Sequence, residues 1–303
     1  MRTPIKLIFP AVAIAMLIAM SLATSAFAHQ PPTGPPWSHP TPSSPSPTGP
    51  YAPFGECPLA TPNVYDCLVG AVSGGELTFG KITVPINRTL TLQGGLAREP
   101  ETENTTLAPA VDGETLSQTP LEVPGGLLHM LGYSSPNPPP RGPLARWSQA
   151  VNAVTVTLEL VGPVQVSEYN LLVEEGPTLV LPARLRFRNP LLGNECFIGS
   201  AAEPLTLALT DGTTNPPPPN QPIKGSPGVL ALEQEGTIAT LTDGTFVNNE
   251  SAISAIHGCG LFGALDGLLD HGIGLPSPAG SNTAIVEASL SLAAAVPVRE
   301  SEQ

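Results

Sequence analysis

Val154-Thr155-Val156-Thr157-Leu158-Glu159-Leu160 alternates apolar and polar side chains without a break. In an extended chain successive side chains point to opposite faces, so this run builds a strand with one apolar and one wet face. Residues 163–175 and 178–188 read in the same style, the second closing on Arg184-Leu185-Arg186-Phe187-Arg188. Thr89-Leu90-Thr91-Leu92 alternates and stops at Gly94-Gly95. Leu205, Leu207 and Leu209 alternate with Thr206, Ala208 and Thr210, and residues 229–232 and 236–241 read as a hairpin pair. Ala284, Val286, Ala288, Leu290 and Leu292 form the last strand, which runs into Pro297. Ser73-Gly74-Gly75, Asp211-Gly212 and Asp243-Gly244 read as turns. This density of short strands and turns predicts an all-β fold, a sandwich or a barrel.

Two regions break the pattern. Leu261, Phe262, Leu265, Leu268 and Leu269 recur at helical spacing with Gly272 as a stop, which predicts one short helix packed on the sheet. Residues 143–150 have the composition for a further helical turn or two. Residues 97–120 are polar and aperiodic, a long loop with short strands. Proline-rich loops lie at 136–143 and 216–227. No fixed-period repeat is present. The expected organisation is one β-rich domain over 56–298, with a subdivision near residue 190 left open, and a tail at 299–303.

The first 28 residues place this domain outside the cytosol. Arg2 and Lys6 open the chain, an apolar run covers 7–20, and Ala26-Phe27-Ala28 supplies a small-x-small cleavage site. This is the pattern of a secretory signal peptide rather than a membrane anchor. Residues 29–55 then form a proline-rich, disordered stalk without Asp, Glu, Lys or Arg before Glu56. Prolines at that density exclude a helix or a central strand and favour a semi-rigid spacer. Its Ser and Thr residues have the composition of an O-glycosylated stalk, although a plain linker is the commoner case. Leu275-Pro276-Ser277-Pro278-Ala279-Gly280 departs from a sortase signal at the Thr and Gly positions. The expected location is therefore extracellular, released or loosely wall-associated.

The formal charge of −13 disfavours nucleic acid and anionic lipid as partners. No second long apolar segment follows the leader, so no membrane-spanning helix is expected. Only 12% of residues are charged. Hydroxyls, amides, Gly and Pro carry the polarity instead, which suits strands and turns better than a helical enzyme. Cys57, Cys67, Cys196 and Cys259 are four in number, and an even count in an exported chain reads as two disulfides. Three pairings are open. If Cys57 pairs with Cys67, then Cys196 and Cys259 form a long-range staple. A four-thiolate zinc site is disfavoured because no CxxC knuckle is present.

Candidate chemistry is sparse. Cleavage after Ala28 would expose His29, and an N-terminal histidine can bind copper, but His29 and His39 both sit in the proline tract. Asp266 and Asp270 share a helical face beside His257 and His271. They could bind a metal or serve as acid and base, but their ordinary reading is the solvated face and terminus of the helix. Asp211 and Asp243 each lie in a D-G-T turn and supply a single acid apiece, which favours turn formation over calcium binding. No G-x-S-x-G, HExxH, P-loop or GxGxxG is present. No catalytic residue, cofactor or metal ligand is therefore assigned. Arg184, Arg186 and Arg188 are the one concentration of charge, because period-two spacing puts all three on one face. They suit a sulfated or carboxylated polymer, or cross-strand pairing with Glu159, Glu168, Glu174 or Glu175. Sequons occur at Asn87, Asn104 and Asn249.

Residues 90–95 (LTLQGG), 123–128 (VPGGLL), 189–200 (NPLLGNECFIGS), 225–228 (GSPG) and 275–277 (LPS) carry a resemblance to a group of uncharacterised secreted proteins from actinobacteria. It covers the region after the stalk and implies a bacterial, exported, β-rich protein, with no activity to carry over. The expected function is a non-enzymatic structural or binding module of the cell envelope or extracellular space. Its partner would be a cell-wall polymer or another envelope protein. The alternatives are a carrier holding an apolar ligand inside the β fold and, behind it, a hydrolase of envelope polymers.

Overall fold

The structure, a computed structural model, describes residues 46–99, 104–133 and 149–302. The leader, the stalk up to residue 45, His29, His39 and nearly all of the 143–150 segment lie outside the described residues. The described chain is predominantly β. Its central strand is β1 (Val64–Phe79), which pairs antiparallel with β14 (Thr283–Ala294) over nearly its whole length. Its other edge carries β3 (Leu90–Arg98) and the short β2 (Ile82–Pro85). From β3 the sheet continues through β4 (Thr105–Pro109) and β7 (Val164–Val166) to β8 (Leu179–Asn189). From β14 it continues the other way through β12 (Ile238–Asn248) to the edge strand β11 (Val229–Glu233).

Strand β8 organises the far side. One edge holds β6 (Thr155–Leu160) beside β7, with β5 (Leu121–Glu122) against β6. The other edge holds β9 (Gly193–Ile198) and β10 (Leu205–Leu209). Thr210, directly after β10, exchanges both backbone hydrogen bonds with Val247 of β12, at 3.0 and 2.8 Å. The Asn248 Nδ2 donates to the Ala208 carbonyl at 2.8 Å beside them. The sheet thus closes on itself, and the apolar faces of its strands meet in one core. Closure satisfies backbone groups that an open sheet would leave at an edge.

Glycine positions show why two expected turns are not turns. Ser73-Gly74-Gly75 is a bulge inside β1, where the register against β14 slips between Val72 and Gly74. Gly75 has φ +110°, and a Cβ there would lie 2.0 Å from the Ile285 carbonyl oxygen. Asp243-Gly244 is likewise a bulge within β12, with Asp243 at φ +57°. A dipeptide that permits left-handed backbone serves a bulge as well as a hairpin. The 229–233 and 238–242 segments do pair as the expected hairpin.

Three local readings change. Residues 168–173 form helix α2 (Glu168–Val173) instead of continuing a strand, because the Ser167 Oγ caps it by accepting from the Asn170 N–H at 3.2 Å. The helix after Cys259 is α3 (Asp266–Ile273), following α1 (Gly126–Met130), and it stops at Gly274 in the left-handed region, not at Gly272. Leu261, Phe262 and Leu268 are exposed, and of the expected apolar stripe Leu269 alone is fully buried. The last strand gives way to α4 (Ala295–Glu300), where Pro297 falls in the first turn and forfeits no helical hydrogen bond.

The two ends of the described chain pack together. A 3-10 turn over Gly49–Phe54 inserts Phe54 beside Cys57, Ile238, Ala293 and Val298 in a second small core. The Thr48 hydroxyl donates to the Ser301 carbonyl at 2.8 Å, and the Arg299 guanidinium donates to Leu59. Residues 46–55 and 299–302 therefore belong to the folded body rather than to a stalk and a tail. Disulfides join Cys57 to Cys67 and Cys196 to Cys259.

Candidate functional site

Strand β8 turns Leu181, Leu185 and Phe187 into the core and Arg184, Arg186 and Arg188 outward. Register places Glu159 of β6 directly opposite Arg184. The Arg184 Nε donates to Glu159 Oε2 at 2.7 Å, and the Arg186 Nη1 lies 3.1 Å from Glu159 Oε1. One carboxylate thus holds two guanidinium groups. On the other edge of β8, Phe197 of β9 pairs with Arg186. Both guanidinium carbons lie over its ring, at 4.3 and 4.9 Å from the centroid. Cation–π contact with a nearly buried ring fixes the planes of the two forks. Of the four acids that the alternation offered as partners, Glu159 is the one used. Glu168 accepts from the Tyr65 hydroxyl at 2.8 Å, and Glu174 faces Lys224 at 3.9 Å.

The two arginines line an open groove of about 590 Å³. It is formed where the chain between β4 and β5 crosses from β3 towards β6. Residues 115–117 pair along β3, and residues 121–123 pair along β6. Between these two seams Gln118 lines the groove, and Gly162-Pro163, also in its lining, separates β6 from β7. Gln118, Thr115 and Glu159 supply polar groups, while Leu107, Leu116 and Leu160 supply the apolar wall. Asp112 and Glu114 flank Gly113 at the rim. The Asp112 carboxylate is occupied there by the Gln93 side chain and the Glu114 N–H. Arg186 Nε is buried and has no acceptor among the described residues. Arg188 does not join the groove. It lies opposite Thr155 and lines a separate shallow surface beside Asn189 and Asn194.

Behind the groove, inside the closed sheet, lies a cavity of about 60 Å³. Leu181, Leu207, Phe246 and Leu290 form much of its wall, and Gly70 and Ala288 leave the space open. Every lining side chain is hydrocarbon, so nothing there can hold a water by two or more hydrogen bonds. Leu116 borders both the cavity and the groove.

The other acids do structural work. The Asp266 carboxylate accepts from the N–H groups of Gly258 and Cys259 at 3.1 and 2.7 Å, and Asp270 accepts from the Ile256 N–H at 2.9 Å. They tie the β13 segment (Ile256–His257) and its disulfide to α3 and form no acid–base pair. Asp211 is fully buried, accepts from the Thr178 hydroxyl at 2.5 Å, and is pushed above the usual carboxylate range by burial. Tyr65 is pushed up to about 12 by burial, and its hydroxyl already bridges Thr105 and Glu168. Asn249 is buried with its Nδ2 donating to Gln221, so this sequon is closed to modification in the folded chain. Among the described residues, no three His, Cys, Asp or Glu side chains gather in a metal-holding group. No helix among them is long and apolar enough to cross a membrane.

The alternation announced the Arg184–Arg186 pair and offered Glu159 as a partner. Phe197, Leu116 and Gln118 were not legible, because they arrive through pairings between segments distant in sequence. Arg186 opposite Phe197 is visible only once β8 and β9 are known to form a hairpin. Compared with protein-family models, curated proteins and solved structures, the chain gives no match.

Proposed function

We propose that the protein is a secreted, non-enzymatic binding module of the cell envelope or extracellular space, of the actinobacterial kind its sequence resembles. Its recognition site would be the Arg184–Arg186–Glu159 groove, and its ligand would carry a carboxylate. The observation that carries this reading is the donor balance in a space of ligand size. A groove of about 590 Å³ falls in the range of small-molecule sites. Each guanidinium has five N–H donors, and the single carboxylate of Glu159 cannot accept them all. The pair keeps a net positive charge in a protein whose overall charge is −13. The Phe197 ring preorganises both forks, which lowers the entropy cost of binding a planar anion.

The leader and the two disulfides support an exported location. The hydrolase alternative finds no support in the groove. Its one carboxylate is engaged by two arginines, and no His, Cys or Ser lines it among the described residues. The test is co-sedimentation of the exported protein with purified cell wall, compared with Arg184→Met/Arg186→Met. The reading predicts retention that falls with salt and is lost in the double variant. Equal retention of the two proteins overturns it.

A further inference from the structure

We propose that the groove and the interior cavity are two ends of one site, which takes a short-chain amphiphile with a carboxylate head. The inference rests on reading the Arg184–Arg186 groove as a binding site, and adds what lies behind it. Three observations join the two spaces. Leu116 is a wall of both, so the two spaces meet at its side chain. On β6, Glu159 and Leu160 line the groove while the preceding Leu158 lines the cavity. A ligand entering between residues 115–118 and β6 therefore passes from guanidinium groups to hydrocarbon within three residues of one strand. Finally, Leu116 and Leu158 are only partly buried, whereas Leu181, Leu207 and Leu290 on the far wall are buried. The cover of the apolar space is thus incomplete on the side facing the arginines.

The volumes set the class of ligand. A cavity of about 60 Å³ is smaller than the engineered space of about 150 Å³ that admits benzene. It cannot enclose a whole lipid, so a purely internal carrier is disfavoured. It does accept the terminal carbons of a chain whose head stays in the groove. The head must be an acceptor, because the groups left unpartnered in the groove are donors, the buried Arg186 Nε among them.

The test is isothermal titration calorimetry of the full oxidised protein with straight-chain carboxylates from acetate to decanoate. Each methylene buried in hydrocarbon should tighten binding about fourfold. Affinity should rise along the series and then level off once the cavity is full. Arg186→Met should weaken every member at least tenfold. Ala288→Leu, which fills the cavity, should flatten the series and leave acetate unchanged. Leu116→Ala, at the partly exposed boundary between the two spaces, should raise the ratio of decanoate to acetate affinity at least fourfold. This second variant decides the matter if Ala288→Leu does not fold. If acetate and decanoate bind alike, and only Arg186→Met weakens them, the amphiphile inference fails while the groove reading stands. If Arg186→Met leaves decanoate binding unchanged, both fail.

Discussion

Replacing Glu159 by Gln should destabilise the protein by about 2 kcal/mol, a magnitude that follows from where the three charges sit. The Glu159 side chain is 10% exposed, while those of Arg184 and Arg186 are 32% and 22% exposed. At an effective dielectric constant near 20, each unit pair about 4 Å apart is worth about 4 kcal/mol before desolvation. Burying the carboxylate takes back much of that, and the partly exposed guanidinium groups are screened by solvent. What remains is the net value of charge-assisted hydrogen bonds, about 1.5–3 kcal/mol. Gln keeps one acceptor but turns an NH₂ donor towards donors. It also leaves two like charges over the same Phe197 ring with no counter-ion. The assay is urea unfolding of the oxidised protein at neutral pH, with a lower midpoint and an unchanged slope expected. Adding Arg184→Met to the variant should recover part of the loss, since one unpaired charge is removed with it. A cost below about 0.5 kcal/mol would refute the reasoning, because that is the value of an exposed pair. So would a cost that grows when Arg184 is removed.

Two further outcomes follow from the fold. Cys196→Ala/Cys259→Ala should cost about 4 kcal/mol and Cys57→Ala/Cys67→Ala about 3, since the bridges span 63 and 10 residues. Urea midpoints of the two oxidised variants check this, and equal or reversed losses would count against the chain-entropy argument. Asp211, raised above its ordinary 3.8 by burial, keeps its proton in the folded chain after the unfolded chain has lost it. Stability from this group therefore falls as pH rises from the ordinary value through the raised folded value. Asp211→Asn should gain on the wild type as pH rises above the ordinary 3.8 in paired unfolding curves, and an unchanged difference would contradict the assignment. Asp66 is raised in the same direction by burial and by Glu168, so the variant retains part of the slope.

Local chemistry was enough to determine the β class of this chain. Alternation from Val154 to Leu160 and from Leu205 to Leu209 commits each segment to a strand with a defined inner face, because the side-chain period is two. The same period placed Arg184 and Arg186 on one face before any partner was known. An even cysteine count determined that there would be two bridges, but not which residues pair. Local signals failed where one dipeptide serves two geometries. Ser73-Gly74-Gly75 and Asp243-Gly244 permit left-handed backbone in a turn or in a bulge, and only the strands alongside select the bulge. The closure of the sheet belongs to tertiary structure alone. It rests on Thr210 meeting Val247, two residues whose sequences announce nothing of each other. That closure makes an interior, and the crossing of residues 115–123 from β3 to β6 makes the groove on its wall. The site is built from long-range register, which decides what Glu159, Phe197 and Leu116 touch, and register is a property of the assembled sheet.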